Sequence, residues 1–318
     1  MNPTLLSEIR RDDRFEGFVI VRAAEQRASA SGKNYLDMTL ADRSGSINAK
    51  MWDGTVQPPV AGSIVKVRAT GNEFNGRMQL RVEKIRPADK KDDVDMSALI
   101  PCAPGDPKAM LADVVRAADR IADRDLRLIT CELLNRAGDK LLTFPAAKQM
   151  HHAERSGLLH HMTTMLRAAQ AIMTVYPRLN AGLLTAGVIV HDLAKIDEMD
   201  ADTLGLVSDY SIDGKLLGHI VRGVVNIQAA AEKTGASRAK ALLLQHMVLS
   251  HHGIPEYGSP MAPKFPEAEV LNMIDTLDAR LYEMDEALSR AVPGGFSEKV
   301  WGLDNRQLYR IPDEQLTK

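Results

Sequence analysis

Cysteine is nearly absent. The 318 residues contain only Cys102 and Cys131, neither in a CxxC pair nor beside a histidine cluster. That excludes a disulfide framework and a thiolate zinc site, and it suits a reducing cytosol. A secretory leader is also missing, because the start, MNPTLLSEIRRDDR, has no apolar stretch followed by a cleavage site. No run of about 18 apolar residues occurs, so no membrane span is expected. These absences predict a cytoplasmic protein with no membrane partner. Charge of one sign is lacking too: the net charge is −2. A protein that coats long duplex DNA carries a strong basic excess, so any nucleic-acid contact here is expected in a local groove or channel. There is no internal repeat and no long low-complexity tract.

What is present is ordinary globular material, 45% hydrophobic and 26% charged, enough for a sizeable core. The length suggests about two domains, and the chain changes character near residue 87. Before that point it reads as strands. Residues 15–21 (FEGFVIV) open the series. In 35–42, Leu36, Met38 and Leu40 alternate with Tyr35, Asp37 and Thr39, the pattern of a half-buried strand. Residues 46–52 alternate after a turn at Arg43-Ser44-Gly45, and 63–69 follow the Pro58-Pro59 break. Asn75-Gly76 marks a hairpin, since both residues accept positive φ. The strand after it sets Met78, Leu80 and Val82 against Arg77, Gln79, Arg81 and Glu83.

Five short strands without a helix predict a small closed barrel, and GKNYLDMTLADRSGSINAKMWD resembles strands two and three of an OB-fold. Such barrels hold single strands through basic and aromatic side chains on one face. The candidates are Arg22, Lys33, Tyr35, Lys50, Trp52, Arg68, Arg77 and Arg81. Residues 12–86 carry 12 basic and 9 acidic side chains, only a mild excess, so a docking or structural barrel with solvated charges stays open. Residues 88–107, rich in proline and charge, read as a linker. From 108 to 318, seven segments with apolar residues at three- and four-residue spacing predict an all-α domain. The fold expected is therefore multi-domain: a barrel over 1–87, a linker, then a helical bundle.

His191-Asp192 ends the very apolar stretch LLTAGVIV, which places two polar groups beside a core. Left unpaired there they would cost several kcal/mol or so, a penalty that a metal ion or a His–Asp hydrogen bond removes. His161 lies 30 residues before His191, and Asp275 lies 83 residues after Asp192. His, then His-Asp, then Asp, each on its own helix, resembles the HD superfamily of metal-dependent phosphohydrolases. The resemblance implies that His161, His191, Asp192 and Asp275 bind metal, with Asp192 as a bridging ligand. It implies a second ion held by His219 and by His251 or His252. His219 reads alternatively as a capped helix histidine, and His160 could exchange roles with His161. Imidazole and carboxylate without thiolate suit Mn²⁺, Fe, Co²⁺ or Mg²⁺, and the resemblance implies Mn²⁺ first. Lys195, four residues after His191, would steady a phosphate if the helix continues, or else form a salt bridge with Asp192 or Asp197.

The block FPAAKQMHHAERSGLLHH, with HDLAKI, LLGHI, SHHG, YGSP and IDTLDAR, in that order, is similar to the YhaM-type bacterial 3′→5′ exoribonucleases, which join an OB-fold to an HD domain. That resemblance covers nearly the whole chain. It implies Lys195 and Asp192 as catalytic residues and two divalent ions as cofactors. The partner it implies is single-stranded RNA, with single-stranded DNA and a homo-oligomer as further expectations. His151, His152, Lys33, Tyr35, Trp52, Arg77 and Arg81 are then the expected substrate contacts. Two alternatives stay open: an HD-type phosphodiesterase or nucleotidase on a small nucleotide with a regulatory barrel, and a nucleic-acid adaptor without activity.

Overall fold

A computed structural model describes residues 5–315 apart from 30–31, 54–55, 75, 90, 149–151 and 203. The chain forms two compact units, Met1–Cys102 and Ala103–Lys318.

In the first unit five strands, β1 (Arg14–Ala28), β2 (Asn34–Asp42), β3 (Gly45–Met51), β4 (Ile64–Phe74) and β5 (Arg77–Pro87), close into a barrel of order β1-β2-β3-β5-β4. All pairings are antiparallel except β3 with β5. This is the OB-fold order. The alternating apolar residues make the core: Leu36, Met38 and Leu40 of β2 meet Ala49, Val65, Val67 and Leu80 inside. Asn75 of the hairpin lies outside the described residues; Gly76 has φ +72°.

One expectation needed correction here. β1 runs on to Ala28, well past residue 21, because its exposed second half pairs with β2, Gln26 opposite Leu36. The segment 88–107, read as a linker, is ordered in part. It carries a short helix, α1 (Met96–Leu99), whose Ala98 carbonyl accepts the Arg43 N–H at 3.1 Å, while Leu99 and Ile100 are buried.

The second unit is helical: α2 (Pro107–Asp119), α3 (Arg124–Ala137), α4 (Gly157–Val175), α5 (Ala181–Val190), α6 (Lys195–Glu198), α7 (Ile212–Leu216), α8 (Gly218–Thr234), α9 (Arg238–Ser250) and α10 (Pro266–Arg290). One departure from all-α is a small antiparallel pair, β6 (Met199–Ala201) with β7 (Val207–Tyr210). α5 is apolar all round because it is central: it packs on α2, α3, α4, α9 and α10. Asn180 caps it, its side chain accepting the Leu183 N–H at 3.0 Å. α5 stops at Val190, and residues 191–194 form a turn, so His191 and Lys195 do not share one continuous helix. The segment 301–310 packs back on α10, where Arg280 pairs with Asp304.

Candidate metal centre and nucleic-acid face

Four elements bring the histidines and aspartates together. α4 supplies His161, the turn after α5 supplies His191 and Asp192, the end of α9 supplies His251, and α10 supplies Asp275. The entry to α4 is tightly built. Gly157 has no room for a side chain, since a Cβ there would stand 2.0 Å from the His152 carbonyl oxygen.

His161, His191 and His251 are wholly buried, and Asp192 and Asp275 nearly so. His161 Nε2 lies 3.3 Å from His191 Nε2, 3.2 Å from Asp275 Oδ1 and 3.7 Å from Asp192 Oδ2. His191 Nε2 lies 3.4 Å from Asp192 Oδ2 and 4.0 Å from Asp275 Oδ1. Two donors on one ion with bonds of about 2.1 Å stand roughly 3.0–4.2 Å apart, so these distances fit a divalent cation. The other Asp192 oxygen, Oδ1, faces His219 Nε2 at 3.5 Å and His251 Nε2 at 3.7 Å. Asp192 thus turns one oxygen to each group of histidines. His252 joins the second group, with its donor close to those of His219 and His251.

The ring tautomers are set from behind. His161 Nδ1–H donates to Asp278 Oδ2 at 2.7 Å and His219 Nδ1–H to Glu198 Oε1 at 3.0 Å. His191, His251 and His252 donate theirs to the carbonyls of Val188, Val248 and Tyr257 at 2.8, 2.6 and 2.6 Å. Each Nε2 is left to act toward the centre, the arrangement typical of metal-binding histidines.

The decisive feature is what these atoms lack. Asp192 Oδ1, His219 Nε2 and His251 Nε2 are buried and have no hydrogen-bond partner among the described residues. Orphaned buried groups cost about 1–3 kcal/mol each. A cation between them would remove that cost, so the donor set fits the metal that an HD fold implies.

The electrostatics agree. Burial penalises the Asp192 and Asp275 carboxylates, but Lys195 and His191 outweigh it at the first, and His161 and His191 at the second, holding both far below the usual range. Burial and neighbouring rings push His251 down, which keeps it neutral and able to ligate. Burial also disfavours a charged His161, yet hydrogen bonds to Asp275 and Asp278 raise it to about 9. Lys195 is buried with its ammonium 2.7 Å from Asp192 Oδ2. Of the two salt bridges open to it in the sequence, it makes the one with Asp192.

His160 stands outside the centre, half-buried, with Nδ1 2.7 Å from Glu154. His152, expected to contact substrate, is only 2% exposed and holds Asp278 from behind at 2.8 Å. His151 lies outside the described residues. Asp278 and Glu198 were not anticipated. The available signal for Asp278 was its three-residue spacing from Asp275 on one helix face.

On the barrel, Tyr35 and Trp52 stack at 4.8 Å between centroids, and Trp52 is 57% exposed. The Lys50 ammonium lies 5.6 Å from the Tyr35 ring and 5.5 Å from Phe74, an exposed aromatic absent from the expected set. Arg77 is opposite Phe74 and Arg81 opposite Lys50, which places both exposed cations on this face. Lys33 is exposed beside the β1–β2 turn, and Arg22 is exposed on β1. Arg68 pairs with Glu16 at 2.9 Å.

The HD domain family matches residues 158–280, a span that holds every ligand named above. The chain is 38% identical over 296 residues to the 3′-5′ exoribonuclease YhaM of Bacillus licheniformis, covering 92% of this chain and 93% of that protein. Two solved structures are also similar in part. A replication protein A heterotrimer bound to single-stranded DNA shares 18% identity over 24% of this chain and 58% of its own, with a TM-score of 0.21. The second OB-fold domain of replication protein A from Methanococcus maripaludis shares 19% over 28% of this chain and 96% of its own, with a TM-score of 0.23. The OB-fold assignment rests on strand order and not on these two. With a relative this similar along almost its whole length, the chain belongs to the YhaM-type 3′-5′ exoribonuclease family.

Proposed function

We propose that this chain is a metal-dependent 3′→5′ exoribonuclease that hydrolyses single-stranded RNA, and single-stranded DNA as a second substrate, to nucleoside 5′-monophosphates. The observation that carries the metal dependence is the set of three orphaned, buried donors around Asp192. His161, His191, Asp192 and Asp275 would hold one divalent ion. Asp192 Oδ1, His219 and His251, with His252 beside them, would hold another. The donors accept Mn²⁺, Mg²⁺, Co²⁺ or Fe, and the family resemblance favours Mn²⁺ among them. When bound, such ions supply Lewis acidity and lower the pKa of water toward neutrality.

The chain's own residues do the rest. Asp278 and Glu198 fix the rings of His161 and His219. Lys195 provides a buried positive charge next to Asp192, where it offsets carboxylate charge and can donate to a non-bridging phosphate oxygen. Tyr35, Trp52 and Phe74 offer stacking surfaces for upstream bases, with Lys50, Arg77, Arg81 and Lys33 attracting the backbone. Recognition of this kind tolerates any base sequence.

No helix among the described residues is long and apolar enough to cross a membrane. Together with the scarcity of cysteine, this supports a cytoplasmic location. Met273, Leu277 and Leu281, exposed at four-residue spacing on α10, support a homo-oligomer.

The test is a 5′-labelled single-stranded RNA of about 25 nucleotides incubated with Mn²⁺ or with EDTA. A Mn²⁺-dependent ladder that shortens from the 3′ end is expected. Turnover of small nucleotides with long strands left intact would favour the phosphodiesterase alternative.

A further inference from the structure

The motif YGSP, residues 257–260, lies outside the ligand set but is bonded to one of its members. The His252 ring donates its Nδ1–H to the Tyr257 carbonyl at 2.6 Å, and the His252 backbone N–H donates to Ser259 Oγ at 3.0 Å. Ser259 is wholly buried, and the N–H groups of Tyr257 and Ser259 both reach the Ile254 carbonyl at 3.2 Å. Gly258 takes φ +98°, a conformation that a residue with a Cβ rarely adopts, and this turn folds the chain back on His252. A Cβ there would stand 3.6 Å from Ile220 Cδ1 and 3.9 Å from His252 Nδ1. The turn therefore rests against both His252 and the residue that follows His219.

His161, His191, Asp192, His251 and Asp275 are buried, whereas His219 and His252 are only half-buried. The centre thus meets solvent on the side of these two rings, and a strand end must arrive there. Tyr257 is 68% exposed on the loop beside that opening. Its side chain has no hydrogen-bond or ring partner among the described residues. A large aromatic face is left uncovered on a loop whose backbone is fixed. The imidazoles and Lys195 meet phosphate and charge, but a nucleobase needs a π face, and every base can use one.

We propose that Tyr257 is the platform on which the terminal nucleobase of the strand stacks, and that Gly258 and Ser259 hold this platform beside His252. The proposal rests on the exonuclease reading of the centre. The nucleotide to be released carries its base one sugar away from the phosphate under attack, so its base lies close to the metal ligands. A stacking contact made equally before and during the reaction lowers KM and leaves kcat alone.

The test gives the full-length protein, with Mn²⁺, a single-stranded RNA trinucleotide and the same trinucleotide with an abasic 3′ residue. Tyr257→Ala should raise KM for the intact trinucleotide about tenfold or more, with kcat within about twofold, and Tyr257→Phe should restore it. The abasic substrate should cost the unmodified protein a similar rise and cost Tyr257→Ala nothing further, since both changes remove one contact. Mn²⁺ affinity by calorimetry should match in all three proteins, because the carbonyl that holds His252 survives each replacement. An unchanged KM in Tyr257→Ala, or equal losses on the abasic substrate with and without the ring, would overturn the platform. So would a lowered Mn²⁺ affinity in Tyr257→Ala, which would give the ring a role in the loop instead. If the unmodified protein leaves the trinucleotide intact, the exonuclease reading fails by itself, and calorimetric binding of the trinucleotide decides. A Kd weakened about tenfold in Tyr257→Ala and not in Tyr257→Phe then supports the platform, and an unchanged Kd overturns it.

Discussion

The barrel and the helical unit carry polar chemistry in opposite ways. On the barrel, Tyr35, Trp52, Phe74 and Lys50 meet one or two neighbours on an open face that Arg77 and Arg81 share by register. In the helical unit, His161, His191, Asp192, His251 and Asp275 are buried, and every one constrains the others. Water can compensate for the loss of an exposed contact. It cannot compensate for a missing partner in a buried cluster, where the remaining charges stay desolvated. The contrast predicts graded effects on the barrel and near all-or-none effects in the centre.

Asp192→Ala breaks the centre most severely, because both of its oxygens face donors. Turnover should fall about 10³-fold or more, some 4 kcal/mol in barrier, together with Mn²⁺ binding. Activity assays and calorimetric Mn²⁺ titration on the same preparation check this. Retained binding would show that the two groups of histidines do not need their shared carboxylate.

Asp278→Ala sharpens the comparison, since this residue acts only through His161 and His152. Mn²⁺ affinity should drop about 10–100-fold, with Asp278→Asn recovering part of the loss. An affinity unchanged in both variants would remove Asp278 from the account.

Trp52→Ala addresses the other side. Loss of one stacking surface should weaken RNA binding by about 1–3 kcal/mol. Mn²⁺ affinity and cleavage of a very short oligonucleotide should stay as they were. Fluorescence anisotropy with RNAs of several lengths reads this directly, and a length-independent loss would contradict a stacking role.

A further effect is of pH. His161, raised to about 9 by Asp275 and Asp278 against the pull of burial, holds a proton at neutral pH. An incoming cation must displace it. Apparent Mn²⁺ affinity should therefore rise roughly tenfold per pH unit between about pH 7 and 9 and level off above, with close to one proton released for that step. Titration calorimetry in buffers of different ionisation enthalpy measures the proton count.

How much of this the sequence disclosed also differs between the two units. Leu36, Met38 and Leu40 alternate with Tyr35, Asp37 and Thr39, so the inner and outer faces of β2 were legible from period two alone. The second half of β1 was not, because Glu25–Ala28 is exposed on both faces and only its backbone pairing with β2 makes it a strand. His191 and Asp192 were legible because they end the very apolar stretch LLTAGVIV, whereas His161 and Asp275 were legible only through their resemblance to the HD pattern. Nothing in the sequence distinguishes His152, which supports Asp278, from a residue that touches substrate. That difference arises from the left-handed turn at His152, which swings the ring inward. Asp278 and Glu198 read as surface acids until the fold places them behind a histidine. The end of α5 at Val190 was hidden by the apolar continuation of the pattern through Leu193 and Ile196.

The proposal most open to test is that Asp192, which turns Oδ2 toward His161 and His191 and Oδ1 toward His219 and His251, would serve two cations. Electron paramagnetic resonance of the Mn²⁺-loaded protein tests it most directly. A carboxylate shared between two Mn²⁺ ions gives an exchange-coupled pair signal in the unmodified protein, and that signal disappears in Asp192→Ala. A spectrum of isolated, uncoupled Mn²⁺ in the unmodified protein at saturating metal would contradict the account.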